Sequence, residues 1–235
     1  MSEIASTEQQ EIKGWFENTY KNRGNLYLRP KAAYEIFLHL LKPQEGENIL
    51  DVACGLGRLL EVGNQYNLNL NGVDISENAI SHVNDILPQA TAKVGNAEQL
   101  PFEDESMDMI TCIGSLERII NLETALAEQL RIGKPKARYC YMVRNSNRLS
   151  WKIVKNQMGI KNKAGHQGAK TMEEWSAIFE KSGFEIEQVV ADQWGRMRIW
   201  RFLGLGIFHP DYKKVKSSST PIENAYEFIF VLRKK

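Results

Sequence analysis

The 235-residue chain contains no apolar run near the roughly 18 residues that a membrane-spanning helix requires. Its opening stretch, Met1 to Phe16, has no basic region followed by an apolar core and a small-residue cleavage point, so secretion is not expected. Cysteine is scarce. Cys54, Cys112 and Cys140 are odd in number and far apart, and no Cys-x-x-Cys pair suggests zinc or a thioredoxin-like centre. A reducing cytoplasm is the expected setting. Net charge is nearly absent too, at +1 from 30 basic and 29 acidic residues. With 43% hydrophobic and 25% charged residues, collagen-like, coiled-coil and wholly disordered classes are set aside. No internal repeat is present, and a chain of this size buries roughly 70% of its unfolded surface without needing staples.

Short apolar runs alternate with amphipathic stretches, the pattern of a layered α/β domain with a mainly parallel sheet. The spacing predicts strands at Asn48 to Ala53, Leu70 to Asp74, Thr91 to Val94, Met107 to Ile113, Ala137 to Val143, Phe184 to Val190 and Tyr226 to Leu232. Ser76 reads as an N-cap ahead of the stripe Ala79, Ile80 and Val83, and Lys181, Ser182 and Gly183 close a helix that begins after Thr171. Two helical segments, Gln9 to Lys21 and Pro30 to Leu41, form an N-terminal cover over residues 1–43. Residues 44–143 form the core of a single domain spanning 1–235. Interruptions at 144–170 and 194–221 are too short for separate domains and are expected beside a substrate.

The most informative segment is Asn48-Ile-Leu-Asp51-Val-Ala53-Cys54-Gly55-Leu-Gly57-Arg-Leu-Leu60, a strand entering a glycine turn and then a helix. Gly55 and Gly57 let the backbone bend sharply and let a ligand approach main-chain N–H groups. About twenty residues on, Gly72-Val73-Asp74 places a carboxylate at the neighbouring strand's end, where it can accept hydrogen bonds from ribose hydroxyls. Leu60 stands where a dinucleotide fingerprint has its third glycine. Two acids, Asp51 and Asp74, suit a ligand with positive groups better than a pyrophosphate, which points away from NAD.

These segments resemble the class I S-adenosylmethionine-dependent methyltransferases, over roughly Gln44 to Val190. Asp51-Val-Ala-Cys-Gly55-Leu-Gly57 is similar to the family's D-x-x-x-G-x-G motif, and Gly72-Val-Asp74-Ile-Ser to its second. Gly95-Asn96-Ala97-Glu98-Gln99-Leu100-Pro101-Phe102, followed by Asp104-Glu105-Ser106-Met107-Asp108, resembles the third, and Leu130-Arg-Ile-Gly-Lys134-Pro135 the turn before the fifth strand. The small-molecule subgroup that includes quinone-biosynthesis enzymes is the nearest in pattern. The resemblance implies a Rossmann-like α/β fold, with helices on both faces of a seven-stranded, mostly parallel sheet in the order 3-2-1-4-5-7-6 and an antiparallel last strand. It implies that Asp51, Gly55 and Gly57, with Ala53 and Cys54 in the same turn, surround the methionine part of the cofactor. Cys54 serves there as a small packing residue. Asp74 would hold the ribose, with Ile75 against the adenine. Asn96 replaces the usual Asp beside the adenine amino group, which its amide oxygen can still accept. Ala97 and Glu98 would line the adenine pocket, and Ile113, Gly114 and Ser115 the cavity after strand four. No metal is needed.

Two positions depart from that pattern. Glu117-Arg118 replaces a Glu-His pair after strand four, and Lys136-Ala137 replaces a glycine pair after Pro135. His166 is the histidine to consider as a general base, against the reading of a solvated loop residue, whereas His39, His82 and His209 read as structural. Arg131 to Lys170 carries eleven basic residues and no acid. Beside a methyl donor such a rim would favour an anionic acceptor. The alternative is a solvated face balanced by Glu98, Glu103, Asp104, Glu105 and Asp108. The segment Trp194 to Phe208 could pack on the sheet, wall an apolar or aromatic acceptor, or form a homodimer contact. Tyr20, Tyr27 and Tyr34 read as core, with a lid over the cofactor as second choice. The expected function is methyl transfer from S-adenosylmethionine to a small metabolite. The competing readings are an RNA methyltransferase, for which no binding module is evident, and a cofactor-binding regulatory protein without catalysis.

Overall fold

The computed structural model describes residues 7–24, 28–147, 168–192, 222 and 225–235. Seven strands form one sheet: β1 (Asn48–Val52), β2 (Asn69–Asp74), β3 (Thr91–Val94), β4 (Met107–Ile113), β5 (Gly133–Arg144), β6 (Phe184–Asp192) and β7 (Glu227–Lys234). Their order is β3-β2-β1-β4-β5-β7-β6. The first five pair in parallel, while β7 runs antiparallel between β5 and β6. The order implied by the family resemblance is therefore the order observed.

Strand alternation sends successive side chains to opposite faces, and this divides the core in two. Ile49, Met109, Cys140, Met142 and Ile229 face one layer, packed by α2 (Glu35–Leu41), α3 (Arg58–Gly63) and α4 (Glu77–Ile86). Leu50, Val52, Ile110, Tyr139, Tyr141, Phe228 and Phe230 face the other, packed by α5 (Leu122–Ile132) and α6 (Met172–Lys181). α6 starts with a capping box in which the Thr171 side chain accepts from Glu174 N and the Glu174 carboxylate accepts from Thr171 N. As the sequence pattern predicts, Ser76 caps α4 by accepting from Ala79 N at 3.1 Å.

Some boundaries differ from the sequence reading. β5 begins at Gly133 and runs through Pro135 and Lys136, which were expected in a turn. β6 and β7 each extend two residues past their predicted C-terminal ends, because each finds a partner along its whole length. The segment Pro30 to Leu41 is not one helix: Lys31–Tyr34 is a 3-10 turn that enters α2. The two N-terminal helices also have different tasks. α2 buries Ile36, Phe37, Leu38 and Leu41 in the core, whereas α1 (Thr7–Arg23) packs chiefly on α4, at the edge of the sheet.

Phe179 on α6 is fully buried, with Phe230 at 5.0 Å, Tyr141 at 5.5 Å and Trp175 at 5.8 Å between ring centroids. Phe179→Ala should destabilise the protein by about 3–5 kcal/mol, the range for an aromatic removed from a close-packed core. Denaturant unfolding checks this. A midpoint loss worth less than about 1 kcal/mol would show that this layer can collapse around the cavity.

Candidate cofactor-binding site

The C-terminal ends of β1 and β2 converge on a turn whose backbone is unusual. After β1 the chain passes through Ala53, Gly55 and Gly57, all with positive φ (58°, 52° and 75°), before α3 begins at Arg58. Only glycine adopts that region freely, which accounts for Gly55 and Gly57. Gly57 has a second reason: a Cβ there would lie 2.9 Å from Val83 Cγ2 on α4.

Asp74, at the end of β2, ties this turn down. It is 4% exposed, its Oδ2 accepts from Gly55 N at 2.8 Å, and its Oδ1 accepts from Ser76 N at 2.9 Å. Burial pushes its carboxyl up to about 6, against the lowering effect of those backbone donors. A second acid lies below it. Asp51 pairs in register with Thr111 across β1 and β4, and its Oδ1 accepts from the Thr111 hydroxyl at 2.7 Å. Burial, with a smaller contribution from the Asp74 charge, raises Asp51 to about 7 despite that bond. The Cys54 thiol is buried and pushed well up by burial and by both acids, which suits the packing role and leaves it unreactive at neutral pH.

An open cavity, about 620 Å³ when the solvent space at its mouth is included, lies beside this turn. Of the site residues singled out in the sequence, Ala53, Asp74, Ile75, Asn96, Ala97, Glu98 and Ser115 line it. Asp51, Cys54, Gly55, Gly57, Ile113 and Gly114 do not. Gly55 is covered: a Cβ built on it would lie 2.9 Å from the Tyr20 hydroxyl oxygen, so α1 sits directly over the turn. The Asn96 side-chain oxygen accepts from Glu98 N at 3.0 Å, which shapes the loop after β3. One oxygen of Glu98 accepts from Asn121 N at 3.1 Å.

Of the remaining wall, Tyr20 was considered from sequence only as a second-choice lid over the cofactor, and its neighbours on α1 were not singled out as a binding surface. Gln9, Ile12, Phe16 and Tyr20 of α1 line the cavity, together with Arg118 and Ile119 beyond β4. The signal for α1 was present: Ile12, Phe16 and Tyr20 recur every four residues and so share one helix face. Arg118 lies over the rings of Trp15 and Phe16, at 5.4 and 5.1 Å, and so joins α1 to the loop after β4. α1 is also held by Lys13 on Glu77 and by Glu17, whose carboxylate accepts from the Glu77 backbone N–H. Its aromatic face excludes water from one side of the cavity.

Three of the six described basic residues of the run pair with acids. Arg131 pairs with Glu128 and Asp104, Lys134 with Asp108, and Arg138 with Glu47. Lys134 and Arg138 lie early in β5, away from the strand ends that face the cavity. Residues 131–138 therefore build the balanced face, not a positive rim at the cavity. Arg148 to Lys163, the candidate base His166, Tyr27, His209 and the segment Trp194 to Phe208 lie outside the described residues. Neither of the other histidines lines the cavity: His39 is on α2 and His82 on α4. No helix among the described residues is long and apolar enough to cross a membrane.

Residues 50–141 match the model of a family described as a methyltransferase domain. A demethylmenaquinone methyltransferase of Bacillus licheniformis is 28% identical over 148 residues, covering 56% of this chain and 62% of that protein. The chain thus spans somewhat under two thirds of the length of such curated relatives. Among solved structures, a geranyl diphosphate C-methyltransferase from Streptomyces coelicolor, in complex with Mg2+, geranyl diphosphate and S-adenosyl-L-homocysteine, superposes with a TM-score of 0.71 at 13% identity, over 99% of this chain and all of that one. The [4+2]-cyclase SpnF superposes equally well, with a TM-score of 0.71 at 15% identity over all of this chain and 99% of that one. The glycine turn and its acid at the end of β2 fall within the matched residues 50–141, and the strand order is the one implied by the resemblance to the class I methyltransferases, whose cofactor is S-adenosylmethionine.

Proposed function

We propose that this chain transfers a methyl group from S-adenosylmethionine to a small-molecule acceptor. The observation that carries this reading is the buried Asp74 carboxylate at the wall of the cavity. Its backbone donors fix its orientation, and its remaining acceptor capacity suits a ribose hydroxyl. Ile75 and Ala97 offer apolar contact for an adenine, and Asn96 stands beside them. The Asp51 and Asp74 charges favour a cationic ligand beside this turn.

When bound, S-adenosylmethionine supplies a methyl group on a sulfonium, a good leaving group. The protein's task is then alignment and exclusion of water, worth about 7 kcal/mol or more in favourable cases. Ile12, Phe16 and Tyr20 close one side for that purpose, and Arg118 anchors them. A small acceptor is supported by the relatives' names, a demethylmenaquinone methyltransferase and an O-methyltransferase from Penicillium expansum. The pairing of Arg131, Lys134 and Arg138 with acids offers no support for RNA as the acceptor. The three cysteines are buried free thiols, which agrees with a reducing, cytoplasmic setting.

The fold also serves the cyclase SpnF, so binding and turnover must be measured separately. Calorimetric titration should give saturable binding of S-adenosylmethionine and S-adenosylhomocysteine and none of NAD. Labelled-methyl transfer to quinol, phenol and amine acceptors, with RNA as control, then reads the activity. Asp74→Ala should weaken cofactor binding by about 1–3 kcal/mol, roughly 5- to 150-fold. Unchanged affinity would remove Asp74 from the site.

The raised acids set the pH dependence. Folded protein without cofactor retains protons on Asp51 and Asp74 that the unfolded chain has released between about pH 4 and 7. The unfolded state binds fewer protons in that window, so this contribution to stability falls as pH rises through it. A cationic ligand favours both carboxylates, so cofactor binding should release protons near pH 6 to 7 and tighten as pH rises. Calorimetry in buffers of different ionisation enthalpy checks the sign. Proton uptake on binding would contradict it.

A further inference from the structure

Beyond the nucleoside cavity, the same edge of the sheet gathers a second group of charges. Strand register places Arg144, Glu227 and Asp192 side by side at the ends of β5, β7 and β6. Arg29, from the segment before α2, closes over them. Its Nη2 donates to Glu227 Oε2 at 2.9 Å, to Asp192 Oδ2 at 3.3 Å and to Met142 Sδ at 2.8 Å, and its guanidinium lies 5.6 Å from the centre of the Phe37 ring. Asp192 and Glu227 are therefore satisfied within the protein.

Glu117 is different. It lies in the 3-10 turn Leu116–Arg118 that follows β4, between Ser115 and Arg118, both of which line the cofactor cavity. The residue is 2% exposed, and its Oε1 accepts from the Arg144 backbone N–H at 2.8 Å. Its Oε2 is buried with no hydrogen-bond partner among the described residues. It also lies close enough to Glu227 to disfavour that residue's charge. A carboxylate oxygen buried without a donor is costly, so a fold that keeps one in the turn between two cavity-lining residues has a use for it. Arg144 shares this edge with Glu117, Asp192 and Glu227, Arg118 lines the cavity and the Arg29 charge is committed to two of the acids, but a carboxylate oxygen can only accept, so a group that meets Glu117 Oε2 must carry a proton to donate.

We propose that Glu117 Oε2 accepts a hydrogen bond from the methyl acceptor, which is therefore an amine or a hydroxyl compound presenting an N–H or O–H here, not a carboxylate or a phosphate ester. This rests on the methyltransferase reading above and names the substrate class of that site. Glu117 positions the donor atom beside the cofactor cavity.

Sinefungin tests this without knowledge of the acceptor. It is a cofactor analogue with an amine-bearing carbon in place of the methyl-bearing sulfonium, so its amine enters the space on the acceptor side. Wild-type protein should bind sinefungin about 10-fold or more tighter than S-adenosylhomocysteine, the scale of one charge-assisted hydrogen bond. Glu117→Gln should cut that preference by about 5-fold or more and leave S-adenosylhomocysteine affinity within about 2-fold. If Glu117→Gln does not fold, Glu117→Asp, which keeps the charge on a shorter arm, should also lower the preference. A wild-type preference of one or less overturns the proposal whatever the variants do, and so does a preference unchanged by substitution. Failure of wild-type protein to bind S-adenosylhomocysteine at all would instead overturn the methyltransferase reading.

Discussion

The hydrogen bond from Gly55 N to the Asp74 carboxylate is the constraint on which the site depends. It joins the first glycine of the turn after β1 to the last residue of β2, and a further backbone donor from Ser76 fixes the second oxygen. A turn with three residues at positive φ has little cohesion of its own. Anchoring it to a buried acid on the adjacent strand holds it open, at the cost of burying a charge. That cost is visible in the raised Asp74 and Asp51 carboxyls, and a cationic ligand would offset it. Asp74 thus contributes to the cavity wall and, together with the buried Asp51, to the preference for positive charge.

Around this anchor, the protein closes its cavity with parts distant in sequence. α1 brings Ile12, Phe16 and Tyr20 over the turn, held by Arg118 and by the contacts of Lys13 and Glu17 with α4. On the acceptor side, Arg29 reaches residues 163 and 198 positions away to gather Asp192 and Glu227. One end of the sheet therefore carries two groups: a cavity built from β1, β2 and the loop after β3, and a polar edge built from β5, β6 and β7.

The first of these was legible in the sequence and the second was not. β3 and β4 carry the predicted bounds, and Ser76 caps α4 as read, because runs of apolar residues and a capping serine act over a few residues. The Asp51-to-Gly57 turn and Asp74 were recognisable because the backbone geometry demands those residue types in that order. The ends of β5, β6 and β7 were misjudged because strand length is set by the partner available, which is a long-range property. Glu117 was noticed only for the histidine missing beside it. Its burial and its single bond to Arg144 N depend on how β4 and β5 end, which no local pattern encodes. The basic run from Arg131 suggested an anionic partner, yet its first members meet acids 26 to 91 positions away in sequence.

The central claim, that Asp74 receives the hydroxyls of a cofactor ribose, is tested most directly on the ligand. S-adenosylhomocysteine and its 2′-deoxy and 3′-deoxy analogues should be compared by calorimetric titration of wild-type protein at neutral pH. Loss of at least one hydroxyl should weaken binding by about 10-fold or more, as expected for a hydrogen bond to a buried carboxylate. Equal affinity for all three ligands would contradict the account.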